Sequence, residues 1–161
     1  MTNLDAGLRL LLDRQAIADT FSRYAIGVDT RDWDLYRSSF VDEFEFDYTS
    51  FDKDWIGRTK ADDFVAGVKA VSEGFDSTQH LIVLQRADID GDQALCVAYV
   101  QARAVVGDKF HALGGYYTHQ LRRDRDQWKI AVAKLTVTWE DGDRAVFAIA
   151  AKRAQKAAAG A

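Results

Sequence analysis

The spacing of apolar residues along the chain changes period partway through, from helical to alternating. Leu8, Leu11, Leu12, Ile17, Phe21, Tyr24, Ala25 and Val28 recur at helical spacings, which predicts a long amphipathic helix over about residues 6–28. Gly27 weakens its last turn. Asp32 has the character of an N-cap and opens a short second helix bearing Trp33, Tyr36 and Phe40. Phe44, Phe46 and Tyr48 then alternate with Glu45 and Asp47, the pattern of a half-buried strand. Thr59-Lys60-Ala61-Asp62 resembles a capping box with Asp in place of the usual Glu. It opens a helix of Phe64, Val65, Val68 and Val71 that ends near Gly74.

After Ser77 everything reads as strands, over about residues 80–89, 93–106, 109–123 and 127–140. Asp90-Gly91-Asp92, Gly107-Asp108 and Asp124-Arg125-Asp126 supply the turns. The stretch from Ala145 to Ala161 is rich in Ala, Lys and Arg and predicts a helical tail that frays into a disordered end. Helices first and a meander of long antiparallel strands afterwards define an α+β class. The expected organisation is one domain over residues 1–161, with a core of about 8–141 and a helical tail from 142. Three helices cannot cover both faces of such a sheet. A strongly curved sheet wrapped partly around them leaves a one-ended cavity, and function is expected inside it.

Composition narrows the function classes. Apolar residues make up 48% of the 161 and charged residues 29%, a globular balance large enough for one sizeable core. The net charge is −4, with basic residues interleaved among acids, which argues against a nucleic-acid partner. Cys96 is the only cysteine, so no intrachain disulfide forms, and its run Ala94-Leu95-Cys96-Val97-Ala98 suggests a buried, inert thiol. The start, Met1-Thr2-Asn3-Leu4-Asp5, carries an acid and no basic region, so no secretory signal is expected. No apolar run approaches the roughly 20 residues that span a bilayer. A soluble cytoplasmic protein with no membrane partner is the expectation.

The candidate chemistry centres on His80, at the mouth of the apolar strand Leu81-Ile82-Val83-Leu84. With Asp29 at the end of the first helix and Tyr48 in Asp47-Tyr48-Thr49-Ser50-Phe51, it supplies an imidazole, a carboxylate and a phenol, sufficient for removing a proton next to a carbonyl. Each residue also has a structural alternative. Asp29 can be a solvated turn residue beside Thr30-Arg31-Asp32, Tyr48 can continue the core stripe of Phe44 and Phe46, and His80 can simply open a strand. Tyr24 lies five residues before Asp29, about 140° around an ideal helix, and reaches the same pocket only if the helix ends near Val28. Ala102, Ala104 and Val106 share a strand parity and form either a smooth apolar pocket wall or a tight packing face. His111 and His119 share the parity of Leu113, Gly115, Tyr117 and Leu121, with no partner fixed for either, and structural or surface roles are favoured. Lys134 is favoured as exposed. The three histidines lack metal-ligand spacing.

The order of Tyr24-Ala25-Ile26-Gly27-Val28-Asp29, Asp32-Trp33, Asp47-Tyr48-Thr49-Ser50-Phe51, Thr78-Gln79-His80 and Gln127-Trp128-Lys129-Ile130 resembles the SnoaL-like branch of the nuclear transport factor 2-like (NTF2-like) superfamily. Within it, the chain is most similar to the scytalone dehydratases and their bacterial relatives. The resemblance runs from about residue 10 to residue 141. It implies a cone-shaped NTF2-like fold, a homo-oligomer (trimer or dimer), a small-molecule substrate, and no metal or organic cofactor. It also implies that His80 and Asp29 remove a proton and that Tyr48 acts on the carbonyl through water. Tyr24 stands where the similar bile-acid dehydratases carry a tyrosine. The run Ile26-Gly27-Val28-Asp29 is similar to one in hexachlorocyclohexane dehydrochlorinases, whose pocket arginine falls near Ala133.

The chain departs from the scytalone dehydratase pattern where substrate is held. Val28 replaces a second tyrosine, Val106 a second histidine, and Gly115 and Tyr117 a serine and an asparagine. With Ala102 and Ala104, these are the expected substrate-facing positions. The expected function is a cofactor-independent, dehydratase-type lyase on an apolar cyclic or aromatic substrate. An isomerase, a polyketide-type cyclase, a dehydrochlorinase or a non-catalytic binding protein are the alternatives.

Overall fold

Four long strands follow one another through tight turns, as the alternating pattern requires. The computed structural model describes residues 3–160. The readings at Met1 and Thr2, and of Ala161 as a disordered end, lie outside them. The helices are α1 (Asn3–Thr30), α2 (Trp33–Arg37), α3 (Ala61–Ser72) and α4 (Ala145–Ala159). The strands are β1 (Phe40–Asp47), β2 (Ile56–Lys60), β3 (Ser77–Asp90), β4 (Gln93–Val106), β5 (Lys109–Asp124) and β6 (Gln127–Gly142).

The strands form one sheet in the order β2-β1-β6-β5-β4-β3. Every pairing is antiparallel except β1 with β6. Two-residue turns join β3 to β4, β4 to β5 and β5 to β6, and their first residues, Gly91, Gly107 and Arg125, all take positive φ. Register shifts at Leu84/Arg86, Gly114/Gly115 and Gln120/Leu121 bend the long strands. The result is a curved, unclosed, mostly antiparallel sheet with helices packed against it, the α+β class expected from the sequence.

Several local expectations change. Phe40 begins β1 and does not extend the short helix, which ends at Arg37. Asp32 does cap that helix, its carboxylate accepting from the Leu35 backbone N–H at 3.0 Å. The capping box at Thr59 does not form. Thr59 and Lys60 belong to the edge strand β2, and Lys60 occupies the α3 N-cap with no side-chain bond. β2 itself has no alternating pattern to announce it, and exists because its backbone pairs with β1, Phe46 opposite Gly57. The segment after residue 142 is no frayed appendage. It forms α4, whose Val146 and Ala150 are fully buried, and Gly74 lies so close to Ala150 that an added Cβ would meet its carbonyl oxygen at 1.8 Å.

Inside the curve, aromatic rings from α1, α2 and β1 pack against one another. Tyr24 meets Tyr36 edge to face at 5.0 Å, and Phe40 stacks on Phe44 at 4.7 Å. Gly27 permits this arrangement, since a Cβ there would sit 2.5 Å from the Tyr36 backbone nitrogen. The glycine read as a weakness of α1 is therefore where α2 crosses it. Cys96 is buried, and burial pushes its thiol up to about 12, so it stays protonated and inert. No helix among the described residues is long and apolar enough to cross a membrane.

Candidate active site

The helices and the curved sheet line an open-mouthed cavity of about 760 Å³. Its lining is mostly aromatic and aliphatic, with His80 on one wall and the hydroxyls of Tyr24, Tyr36, Tyr48 and Tyr117 grouped together. A volume of this order suits a small-molecule site, conventionally about 300–1,000 Å³.

Asp29 and His80 meet although 51 residues separate them. The His80 backbone N–H donates to Asp29 Oδ2 at 2.6 Å, and ring Nδ1 lies 2.7 Å from Oδ1. Burial pushes the Asp29 carboxyl up. The side-chain bond to His80, the charge interaction with it, the backbone N–H and the Thr78 hydroxyl together outweigh that, and the carboxyl sits below its ordinary value. An ionised carboxylate only accepts, so Nδ1 carries a proton, and in the neutral ring Nε2 presents a lone pair. Nε2 has no protein partner among the described residues, and His80 lines the cavity.

The pair is held in place by its own neighbourhood. α1 runs to Thr30, and Arg31 ends it in the left-handed conformation at φ 64°. The Arg31 guanidinium donates to the carbonyls of Val28 (2.7 Å) and Asp29 (3.3 Å), and to the Thr78 hydroxyl at 2.9 Å. It thereby satisfies the carbonyls at the helix end and ties α1 to the start of β3. A turn arginine and a strand threonine carry no pattern of their own, so the sequence assigns Arg31 and Thr78 no role in the pair.

α1 runs to Thr30, two residues past the Val28 near which it was expected to end for Tyr24 and Asp29 to share a pocket. The geometry is resolved differently. Tyr24 and Val28 face the cavity directly, whereas Asp29 points to β3 and meets the cavity through His80. The Tyr24 hydroxyl lies 3.4 Å from that of Tyr48. Burial, followed by the mutual influence of these phenols, pushes Tyr36, Tyr48 and Tyr117 well above the ordinary phenol value, so they remain proton donors. Tyr36 joins the cavity from α2, where helical spacing alone marked it as a packing residue.

Of the expected substrate-facing positions, Val28, Ala102, Ala104 and Tyr117 line the cavity, and Val106 and Gly115 do not. Val106 shares the face of Ala102 and Ala104, but it is the buried last residue of β4, the strand on which α4 packs. Gly115 sits at a bulge between β5 and β6, where a Cβ would come within 2.0 Å of the Thr136 carbonyl oxygen. Its lack of a side chain serves strand packing.

The remaining histidines differ from each other. His119 is buried away from the cavity, its Nδ1 accepting from the Lys134 backbone N–H at 3.2 Å and its Nε2 without a partner. His111 is also buried but lines the cavity, with Nε2 2.9 Å from Glu140 Oε2. Lys134 is half exposed and pairs with Asp47 at 2.9 Å, as expected of a surface lysine. No group of three His, Cys, Asp or Glu side chains gathers to hold a metal ion among the described residues.

Fold and cavity together define an NTF2-like α+β domain built around a mostly apolar, open-mouthed cavity with a carboxylate-held histidine. Residues 9–134 match the SnoaL-like domain, and the chain belongs to that family. It is similar to the scytalone dehydratase of Colletotrichum orbiculare, with 30% identity over 140 residues that span 78% of this chain and 73% of the relative. Among solved structures, the Kfla4162 protein from Kribbella flavida superposes with a TM-score of 0.78 at 26% identity, covering 82% of this chain and 95% of that one. The hexachlorocyclohexane dehydrochlorinase LinA-type3 from Novosphingobium barchaimii superposes with a TM-score of 0.69 at 23% identity, covering 86% and 94%, a likeness of fold alone.

Proposed function

We propose that this protein is a cofactor-independent lyase of the dehydratase type, acting on a small to medium apolar cyclic or aromatic ketone. One observation carries the reading. Asp29 binds both the ring and the backbone of His80, and so fixes an imidazole that lines the cavity and whose Nε2 has no protein partner among the described residues.

In the first step Nε2 takes the proton from the carbon next to the carbonyl. The C–H bonding pair becomes the enolate, and Asp29 balances the charge of the imidazolium. Tyr48 meets the developing oxyanion, directly or through a water molecule. If Tyr24 donates to Tyr48, the Tyr48 O–H stays free to donate to the ligand. In the second step the enolate pair re-forms the carbonyl, a C=C bond forms, and the C–O bond to the β-hydroxyl breaks. The proton on Nε2 leaves with that hydroxyl as water. Val28, Ala102 and Ala104 offer the ring an apolar wall. The relationship to a scytalone dehydratase supports the reaction class. Leu81, Val83, Tyr99 and Trp139, all exposed and apolar, support assembly of copies into a dimer or trimer.

The test is a panel of cyclic β-hydroxyketones followed by absorbance of the enone product, with wild type, His80→Ala and Asp29→Asn. Turnover by the wild type and its loss in both variants, with binding and folding retained, is the expected result. Full activity in either variant contradicts the proposal. Binding by the wild type without elimination on any panel member would favour a ligand-binding role.

A further inference from the structure

A second imidazole–carboxylate pair opens onto the same cavity, built from elements remote from His80. His111 stands on β5 and Glu140 on β6, and Arg144, at the start of α4, holds Glu140 through Nε at 2.7 Å and Nη2 at 2.5 Å. The Arg144 guanidinium also covers the Phe51 ring at 4.6 Å and donates to the Phe51 carbonyl at 2.9 Å. The His111 ring packs against Phe51 at 5.9 Å and Phe147 at 5.2 Å, and both phenylalanines line the cavity. A buried histidine bound to a carboxylate and braced on two rings has one orientation available to it.

That orientation fixes what the ring offers. The bond from Arg144 pulls the Glu140 carboxyl below its ordinary value, and the bond from His111 adds to this against the cost of burial. An ionised carboxylate accepts, so His111 Nε2 carries the proton, and Nδ1 of the neutral ring is an acceptor. Among the described residues Nδ1 has no protein partner, and it is not one of the sealed, unpartnered polar atoms of the interior. His111 lines the cavity, so a ligand there can supply the donor that this lone pair lacks.

Strand pairing places the two histidines relative to each other. His80 lies opposite Ala102, and His111 opposite Ala104, its neighbour on the same face of β4. They are therefore two strands apart and two residues offset, about 12 Å between Cα atoms from ordinary strand spacings. Both residues line the same cavity, and a fused ring system with an oxygen at each end would span the distance between them.

We propose that His111, oriented by Glu140, is a specificity-determining residue that accepts a hydrogen bond from a hydroxyl at the end of the substrate remote from His80. The inference rests on the cavity being the substrate site, and it deepens that reading by naming the substrate as a ring carrying a second, distal hydroxyl.

The test measures binding and not turnover, so it fails separately from the elimination chemistry. Calorimetric titration compares 2,6-dihydroxynaphthalene with 6-methoxy-2-naphthol, which has the same skeleton but can only accept at one end. The wild type should bind the diol about tenfold more tightly, the discrimination expected of one buried hydrogen bond. In His111→Phe the preference should fall to about two- to threefold, the level left by the diol's symmetry and the bulk of the methyl group. If that variant does not fold, Glu140→Gln carries the same test. It frees the imidazole to take either tautomer, and the preference should drop while the cavity keeps its shape. A wild-type preference retained in the folded variant overturns the proposal. Failure of the wild type to bind either naphthol contradicts both the proposal and the reading of the cavity beneath it.

Discussion

Asp29 holds His80 at two points, accepting from its backbone N–H at 2.6 Å through one oxygen and bonding its ring Nδ1 at 2.7 Å through the other. The backbone contact ties the carboxylate to the strand, and the ring contact sets the tautomer. A side chain that only balanced charge would need the second contact alone.

Replacing Asp29 by Asn keeps the shape and removes the charge. The amide can donate to Nδ1 and so push the ring proton onto Nε2, leaving no base facing the cavity. Turnover should fall by about 10²–10⁴-fold with little change in substrate affinity. Steady-state kinetics on an identified substrate, with circular dichroism as the folding control, checks this.

Tyr48→Phe removes a buried proton donor and leaves the ring packing at 4.9 Å from Trp55 intact. The expected effect is on kcat, about 10²–10³-fold, the scale seen when an oxyanion donor is lost. Tyr24→Phe should cost less, because in the proposed mechanism Tyr48 meets the oxyanion and Tyr24 donates to Tyr48. Because burial raises the Tyr48 phenol, the pH–rate profile should show no loss from its ionisation up to pH 10.

His119 makes stability depend on pH. Burial lowers it to about 3 in the folded protein, whereas an unfolded histidine takes up its proton near 6.5. Its contribution is complete above about pH 6.5 and declines as pH falls toward 3, since the unfolded chain binds the extra proton through that window. Asp29 adds a second loss at lower pH, below the unfolded carboxylate value of about 3.9, because its folded value is depressed. His119→Phe should be less stable than the wild type at pH 7, since the Lys134 N–H loses its acceptor. The variant should lose less further stability between pH 7 and pH 5. Urea unfolding at the two pH values measures both effects.

Gly27→Ala puts a methyl into the backbone of Tyr36, with contacts of 2.5 Å to its nitrogen and 2.7 Å to its Cα. No side-chain rotation relieves this, so α2 must shift, at a cost of about 1–3 kcal/mol. The melting temperature should fall, and binding should weaken because Tyr36 moves with α2.

How much of this was legible in the sequence follows from which contacts are local. The long strands and their turns could be read because alternation and turn chemistry repeat within a few residues. β2 could not, because its partner β1 supplies the reason for its existence. The resemblance to a known family pointed to Asp29 and His80, which the chain then brings together across 51 residues. Arg31, Thr78 and the His111–Glu140–Arg144 cluster were hidden because each is made by segments that meet only in the folded sheet. The small-residue face of β4 illustrates the ambiguity well. Ala102 and Ala104 line the cavity and Val106 does not, although all three share one parity.

The central claim is that His80 removes a proton from the ligand, and proton exchange tests it without requiring a leaving group. Cyclic ketones that bind the wild type would be incubated in D2O and the hydrogen next to the carbonyl followed by NMR. Exchange for deuterium in the wild type, abolished in His80→Ala while binding persists, is the predicted result. Exchange that continues undiminished in His80→Ala would contradict the account.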